Sequence, residues 1–372
     1  MRILMLNYEF PPLGGGAGNA NYYLLREFSK YDDINIDLVT SSTLPKYEYE
    51  GFSENIKIYK LNVKKKHLNY WTKKELLIWA LKAYKIIGHM VREIDYDLCH
   101  CWFGWPCGAI GYLFKKKVPY IISLRGSDVP FHNPRLKIID STLFSGMSRI
   151  VWADANRVIA NSSDLKAEAL LTLDRDIDII PNGVDTGLFK MGEKRIKNGM
   201  NLLFVGRLNE IKGLNYLLAA LSKIESDKIE LWLVGDGPEK RNLEKITADL
   251  NIQDKVKFFG VIIEREELRR IYQSADVFVL PSLSEGMSNT ILEAMACGLP
   301  IITTGTGGTR ELIKNNGFIV PIKDPESIKN AIAQYLEDKK LKVQHGRKSR
   351  EIAEGLSWEK VAKKYSEIYE MV

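Results

Sequence analysis

The stretch Ser284-Glu285-Gly286-Met287-Ser288-Asn289-Thr290-Ile291-Leu292-Glu293-Ala294-Met295-Ala296-Cys297-Gly298-Leu299-Pro300 decides how this chain is read. It follows an apolar run at 276–280 that reads as a buried strand, with a Pro281-Ser282 break between them. Ser288 has the chemistry of an N-cap, and Gly298 followed by Pro300 marks a helix C-terminus. Glu285 then lies just before the helix and Glu293 about one and a half turns into it. At ~1.5 Å rise per residue the two carboxylates are too far apart to share a proton or a small substrate. They suit two parts of one long ligand, with the positive end of the helix between them for a phosphate or diphosphate. A sugar at one end and a ribose at the other fit that spacing.

Working outward, 372 residues suggest two domains, each large enough for its own core. A hydrophobic fraction of 45% and a charged fraction of 27% are those of an ordinary globular protein. The net charge of +6 is too mild to imply a nucleic-acid partner. Cys99, Cys101, Cys107 and Cys297 make no disulfide framework in a chain this long, so a reducing compartment is the default. Cys99-His100-Cys101 reads as a buried strand end rather than a metal site, because no second ligand pair follows at zinc spacing. Met1-Arg2-Ile3-Leu4-Met5-Leu6 runs straight into Asn7 and Pro11-Pro12 and reads as a first strand, not a signal peptide. No apolar run reaches ~18 residues. The expectation is a cytoplasmic protein, or one peripheral on the inner face of a membrane.

The pattern on both sides of residue 185 is strand–helix alternation. Strands are predicted at 2–6, 34–40, 56–59, 98–101, 120–124, 157–160 and 178–180, and again at 201–205, 230–234, 256–259, 276–280, 300–303 and 318–320. Helices fit about 18–28, 73–92, 106–114, 135–152, 164–171, 213–223, 239–250, 264–273, 288–296, 309–313 and 325–336. Nearly all-apolar strands alternating with helices mean parallel sheets covered on both faces, with ligands at the carboxyl ends of the strands. The fold class is α/β, with two doubly wound, Rossmann-like parallel-sheet domains. The polar 191–200 segment reads as a linker. The last helix carries Trp358, Val361, Tyr365 and Ile368 at helical spacing and has an apolar face to bury.

Several constellations carry chemistry. Gly206-Arg207 and Lys212-Gly213 place two cations after the strand at 201–205, where a phosphate would lie. Gly14-Gly15-Gly16-Ala17-Gly18 opens a helix and lets a phosphate or sugar approach the backbone. It is not a clean dinucleotide fingerprint. The strand at 120–124 delivers Arg125-Gly126-Ser127-Asp128 to a sheet rim. His100 ends an apolar strand, where a satisfied core histidine is the ordinary outcome. Lys64-Lys65-Lys66, Tyr70-Trp71 and Lys73-Lys74 precede a helix with an apolar stripe (Leu77, Leu81, Tyr84, Val91) and a basic one (Lys82, Lys85, His89, Arg92). That composition suits either a core-packed helix with a solvated face or an element facing anionic lipid.

Taken together these residues resemble the retaining GT-B glycosyltransferases of family 4. The resemblance rests on Pro181-Asn182-Gly183-Val184-Asp185, Val205-Gly206-Arg207-Leu208 with Lys212-Gly213, Val234-Gly235-Asp236-Gly237-Pro238, the E-x7-E pair Glu285 and Glu293, and Gly307-Gly308 with Glu311, all in the family's order. It implies two Rossmann-like domains facing across a cleft: 1–185 for the acceptor, 186–356 for a nucleotide-sugar donor such as a UDP- or GDP-sugar, and a final helix 357–372 returning to the first. By similarity, Arg207 and Lys212 bind the donor diphosphate, Glu293 the ribose and Glu285 a sugar hydroxyl. The backbone of Gly286, Met287, Ser288 and Asn289 faces the sugar and phosphates, and Gly15 or Gly16 approaches the phosphate. Glu285, Arg207, Lys212 and Arg125 are the catalytic candidates, and His100, Arg125 and Asp128 the acceptor-side ones. The resemblance implies metal-independent transfer with no cofactor, to a hydroxyl acceptor of a lipid-linked or other glycoconjugate kind. Many family members have a histidine where this chain has Arg125, and arginine cannot serve as a general base. That departure leaves open an inactive nucleotide-sugar-binding relative. A sugar-nucleotide epimerase or a pyridoxal-dependent phosphorylase of the same architecture is the other alternative.

Overall fold

Most of the predicted strands are apolar runs buried on both faces, as a covered parallel sheet requires, while the runs at Asp178–Ile179, Val256–Gly260 and Gly317–Val320 are partly exposed. The structure, a computed structural model, describes residues 1–44, 47–65, 67–68, 71–130, 144–192, 199–226 and 228–372. The chain divides into two units, one of Met1–Asn182 with Trp358–Val372 and one of Gly183–Ser357.

In the first unit the strands are β1 (Arg2–Leu6), β2 (Asn35–Ser42), β3 (Glu48–Ser53), β4 (Ile56–Asn62), β5 (Leu98–Trp102), β6 (Tyr120–Ser123), β7 (Arg157–Ala160) and β8 (Asp178–Ile179). They lie in the order β3-β4-β2-β1-β5-β6-β7-β8, all parallel except β3, which pairs antiparallel with β4. The order reverses direction between β1 and β5. The final helix, Trp358–Tyr369, packs in this unit's core. Trp358, Val361, Tyr365 and Ile368 are all buried, and Trp358 stacks on Tyr23 with centroids 5.8 Å apart.

In the second unit β9 (Met200–Val205), β10 (Ile229–Val234), β11 (Val256–Gly260), β12 (Val277–Leu280), β13 (Ile301–Thr304) and β14 (Gly317–Val320) lie in the order β11-β10-β9-β12-β13-β14, all parallel. This is the doubly wound order 3-2-1-4-5-6, whose crevice opens where the strand order reverses, between β9 and β12.

Among the described residues, one strand and one long helix escaped the sequence reading. Strand β3 is Glu-Tyr-Glu-Gly-Phe-Ser, a half-exposed edge without apolar alternation. The helix Lys339–Glu354 carries six Lys and Arg residues and buries only small or polar ones, His345, Gly346, Ser349 and Ala353. Its closeness explains its glycine, since a Cβ at Gly346 would stand 2.4 Å from the Gly298 carbonyl oxygen. The Asp338 side chain, which accepts from the amides of Lys340 and Leu341, was its one legible start signal. The helix predicted at 135–152 is Ser145–Ala153 where described, and 131–143 lie outside the described residues, as do 193–198 of the 191–200 segment.

Candidate functional site

Ser288 caps the helix Asn289–Ala296, its hydroxyl accepting from the Ile291 amide at 3.4 Å. Ser288 and Met287 are buried, while Gly286 and Asn289 are partly open. Glu285, in the loop after β12, is held by two donors on one oxygen. Lys212 Nζ and Ser282 Oγ each lie 2.5 Å from Glu285 Oε1. The Glu285 side chain is 10% exposed and that of Lys212 21%, so both groups reach solvent at the same spot.

Two glycines make this meeting possible. Gly213 sits at φ +62°, and a Cβ there would be 2.3 Å from the Pro281 carbonyl oxygen, so the loop after β9 can lie against the loop after β12 only without a side chain. Gly307 is at φ +54° with its missing Cβ 2.0 Å from the Glu285 carbonyl oxygen, and the Gly308 amide donates to the Gly286 carbonyl at 3.1 Å. The loop after β13 thereby backs the Glu285-Gly286 corner. On the other side, Leu208 and Asp236 are joined by a backbone hydrogen bond of 3.0 Å, and Glu239 donates to Leu208 at 3.0 Å. The glycine motifs of the sequence are thus the contacts that pin four neighbouring loops at the strands' carboxyl ends. Arg207, in the first of these loops, is exposed, and the structure gives its side chain no partner among the described residues.

Glu293, inside the helix, has both carboxylate oxygens engaged. Tyr272 OH donates to Oε2 at 3.0 Å and Arg265 Nη2 to Oε1 at 3.2 Å. Burial pushes its carboxyl upward, opposed by the Arg265 charge and the Tyr272 hydrogen bond. Arg265 and Tyr272 were read only as helix residues. A cation opening a helix, Arg265–Ser274, was visible, but nothing in the sequence tied it to a carboxylate 28 residues on.

In the first unit the glycine loop follows β1 at that sheet's own reversal point. Its amides are already in use: Gly15 N donates to Glu9 Oε2 at 3.1 Å. Burial raises the Glu9 carboxyl, countered by the Gly15 and Gly18 amides. A side-chain carboxylate therefore holds the Gly15 amide, one of the two that the sequence reading offered to a phosphate, and Glu9 was missed.

Arg125 is clamped rather than free. Its guanidinium lies 3.7 Å from the centroid of the Trp102 ring, with Nη1 donating to Asn182 Oδ1 and Nη2 to Tyr365 OH, both at 3.0 Å. Asp128 is buried and binds the loop to itself, accepting from the amides of Gly104 at 2.6 Å and Arg125 at 2.9 Å. His100 is fully buried, with Nδ1 2.8 Å from Tyr369 OH and Nε2 2.8 Å from Ser123 Oγ. Burial and the Arg125 charge hold its pKa well below the usual histidine value. The structure brings Arg125 and His100 together through Tyr365, Ser123 and Tyr369, as a polar seam under the last helix. It presents neither His100 nor Asp128 at a surface.

Comparison with known proteins gives the family and the fold. The family profile described as "Glycosyl transferases group 1" matches residues 199–338, and "Glycosyltransferase Family 4" matches residues 14–188. An uncharacterized glycosyltransferase of Methanocaldococcus jannaschii is 28% identical, covering 100% of this chain and 98% of that one. A D-inositol 3-phosphate glycosyltransferase of Geodermatophilus obscurus is 30% identical over 71% of this chain and 64% of its own. Among solved structures, sucrose-phosphate synthase from Thermosynechococcus elongatus superposes with a TM-score of 0.85 at 23% identity, covering 100% of this chain and 98% of that one. Anabaena HepE, determined with UDP-glucose, superposes at 0.75 with 20% identity and full coverage of both chains. The chain belongs to the group 1, family 4 glycosyltransferases, and its two parallel-sheet domains are those of the GT-B fold.

Proposed function

We propose that this glycosyltransferase moves a sugar from a nucleoside-diphosphate sugar to an acceptor hydroxyl with retention of anomeric configuration. The observation that carries the reading is the convergence of Lys212 and Glu285 at the strand-order reversal of the second unit, with Arg207 on the same loop as Lys212 and a capped helix N-terminus beside them. Lys212, Arg207 and that helix end stabilise the diphosphate as its charge develops, which supplies the leaving-group assistance without a metal. Glu293, oriented by Arg265 and Tyr272, takes the ribose hydroxyls, and Glu285 the sugar hydroxyl. Related structures of Anabaena HepE hold UDP and UDP-glucose, which supports a uridine nucleotide as the donor to try first.

The acceptor oxygen attacks the anomeric carbon from the side the diphosphate leaves. The bond from that carbon to the phosphate oxygen breaks, and the departing phosphate oxygen takes the acceptor proton. No protein base is required, so arginine at position 125 is compatible with turnover. The acceptor is a hydroxyl compound, and a lipid-linked one is the class to test first. Thermal shifts against UDP-, GDP- and ADP-sugars identify the donor, since a bound ligand raises the melting point by mass action. An Arg207→Ala variant should lose about 2–4 kcal/mol of transition-state stabilisation, read as a roughly 30- to 1,000-fold drop in kcat. Wild-type turnover in that variant overturns the assignment.

A further inference from the structure

The helix Lys73–Glu93 has two apolar faces, and only one is in the core. Trp79, Ala83, Ile87 and Met90 are buried. Of the predicted apolar stripe, Val91 packs on the core, whereas Leu77, Leu81 and Tyr84 are 61%, 62% and 49% exposed. At about 100° per residue these three and Gly88 share a sector roughly 60° wide, turned well away from Trp79 and Ala83. The Tyr84 ring packs on Phe114, centroids 5.2 Å apart, and the next residue back, Leu113 on the helix Ala109–Phe114, is 62% exposed. Single exposed leucines are ordinary, but a run of them across two adjoining helices marks an interaction surface.

The charges around it have one sign. Lys73, Lys74, Lys85 and Arg92 are exposed, and all project within about 80° of Leu77 on the helix. Lys116 and Lys117 are exposed just beyond Phe114, while Lys115 pairs with Asp154. Of the helix's acids, Glu75 is buried with Lys65 and Thr72, and Glu93 lies about 160° from Leu77. Lys65 and Lys82 take no part: the first is buried against Glu75 and Trp71, and the second donates to the Asn62 carbonyl. Lys66 and Tyr70 lie outside the described residues.

We propose that this face docks on an anionic lipid bilayer, with Leu77, Leu81 and Leu113 in the acyl boundary and Lys73, Lys74, Lys85 and Arg92 at the headgroup phosphates. Apolar side chains rimmed by cations match that boundary, where the two are attracted to different depths. A second copy fits poorly, because a two-fold contact would set these cations against themselves. No described helix is long and apolar enough to cross a membrane, so the contact is with the surface. The inference rests on this surface and not on the transferase reading.

The test is sedimentation of the full-length protein with phosphatidylglycerol-containing vesicles and with pure phosphatidylcholine vesicles, at low salt and at high salt. Binding should require the anionic lipid and fall with salt. Replacing Lys73, Lys74 and Lys85 by glutamine should lower partitioning on the order of 100-fold, about fivefold per cation. Leu77→Gln with Leu81→Gln should lower it about tenfold or more. All replaced residues are exposed, so urea midpoints should match wild type. Equal binding to neutral vesicles, no binding at low salt, or undiminished binding by either variant overturns the proposal. So does a dimer that the leucine variant dissociates while vesicles stay unbound. UDP binding measured in the same preparations reports separately on the transferase reading.

Discussion

Replacing Glu285 by glutamine should tighten the binding of free UDP while lowering sugar transfer. In the structure Lys212 Nζ is 2.5 Å from Glu285 Oε1, so the cation assigned to the diphosphate is committed to an internal carboxylate. Two unit charges at ~4 Å in a medium of effective dielectric ~20 attract by about 4 kcal/mol. Desolvation of the pair offsets a large part of that. A net release of about 1–2 kcal/mol is therefore available to a diphosphate once the carboxylate is neutral, a gain of five- to thirty-fold in affinity. Glutamine keeps the size of the side chain and can still hydrogen-bond Ser282, so the loop should hold. Isothermal titration with UDP and UDP-glucose reads the effect, and the glucose donor should gain less because its sugar hydroxyl loses an anionic acceptor. An unchanged or weaker UDP affinity would show that Lys212 serves the fold and not the phosphate.

Tyr272→Phe removes one of the two donors that keep Glu293 charged. UDP affinity should fall about tenfold, as for a hydrogen bond to a charged group. Its acid limb should also move to higher pH, because the carboxyl rises further; titrations between pH 5 and 8 check this. Gly213→Ala should cost about 2 kcal/mol or more in a urea denaturation and weaken UDP binding, since it combines a left-handed φ with a Cβ 2.3 Å from a carbonyl. Wild-type behaviour would show that the two loops need not meet. His100 is held neutral by burial, with a folded pKa below the unfolded one near 6.5. The unfolded chain therefore binds the extra proton first, and stability present above pH ~6.5 is lost as the pH falls below it. His345, also lowered by burial, adds in the same direction. A His100→Gln variant should be less stable at pH 7 but should lose less between pH 7 and 5.5, measured as urea midpoints.

Much of the fold was readable because its signals are local. Apolar runs such as Leu-Leu-Phe-Val at the end of β9 dictate strands buried on both faces. Glycine and proline set their ends, and Ser288 announces the helix it caps. The edge strand at Glu48 and the helix from Lys339 were not readable, since neither buries a run of large apolar side chains. What makes them regular is pairing with β4 in one case and close backbone approach to Gly298 in the other.

The stretch from Ser284 to Pro300 by itself determined a strand end, a capped helix and two carboxylates too far apart for shared acid–base work. Periodicity and capping act between residues a few positions apart, so a sequence displays them. Only the tertiary structure decided who holds those carboxylates. Lys212 meets Glu285 across 73 residues because parallel strands bring their carboxyl-end loops together whatever the chain length between them, and Arg265 and Tyr272 on one helix reach Glu293 on another. The same physics placed Glu9 on the glycine-loop amides and turned Leu77, Leu81 and Tyr84 outward. A helix pattern shows that an apolar face exists, but the neighbours that the fold supplies decide whether it is covered.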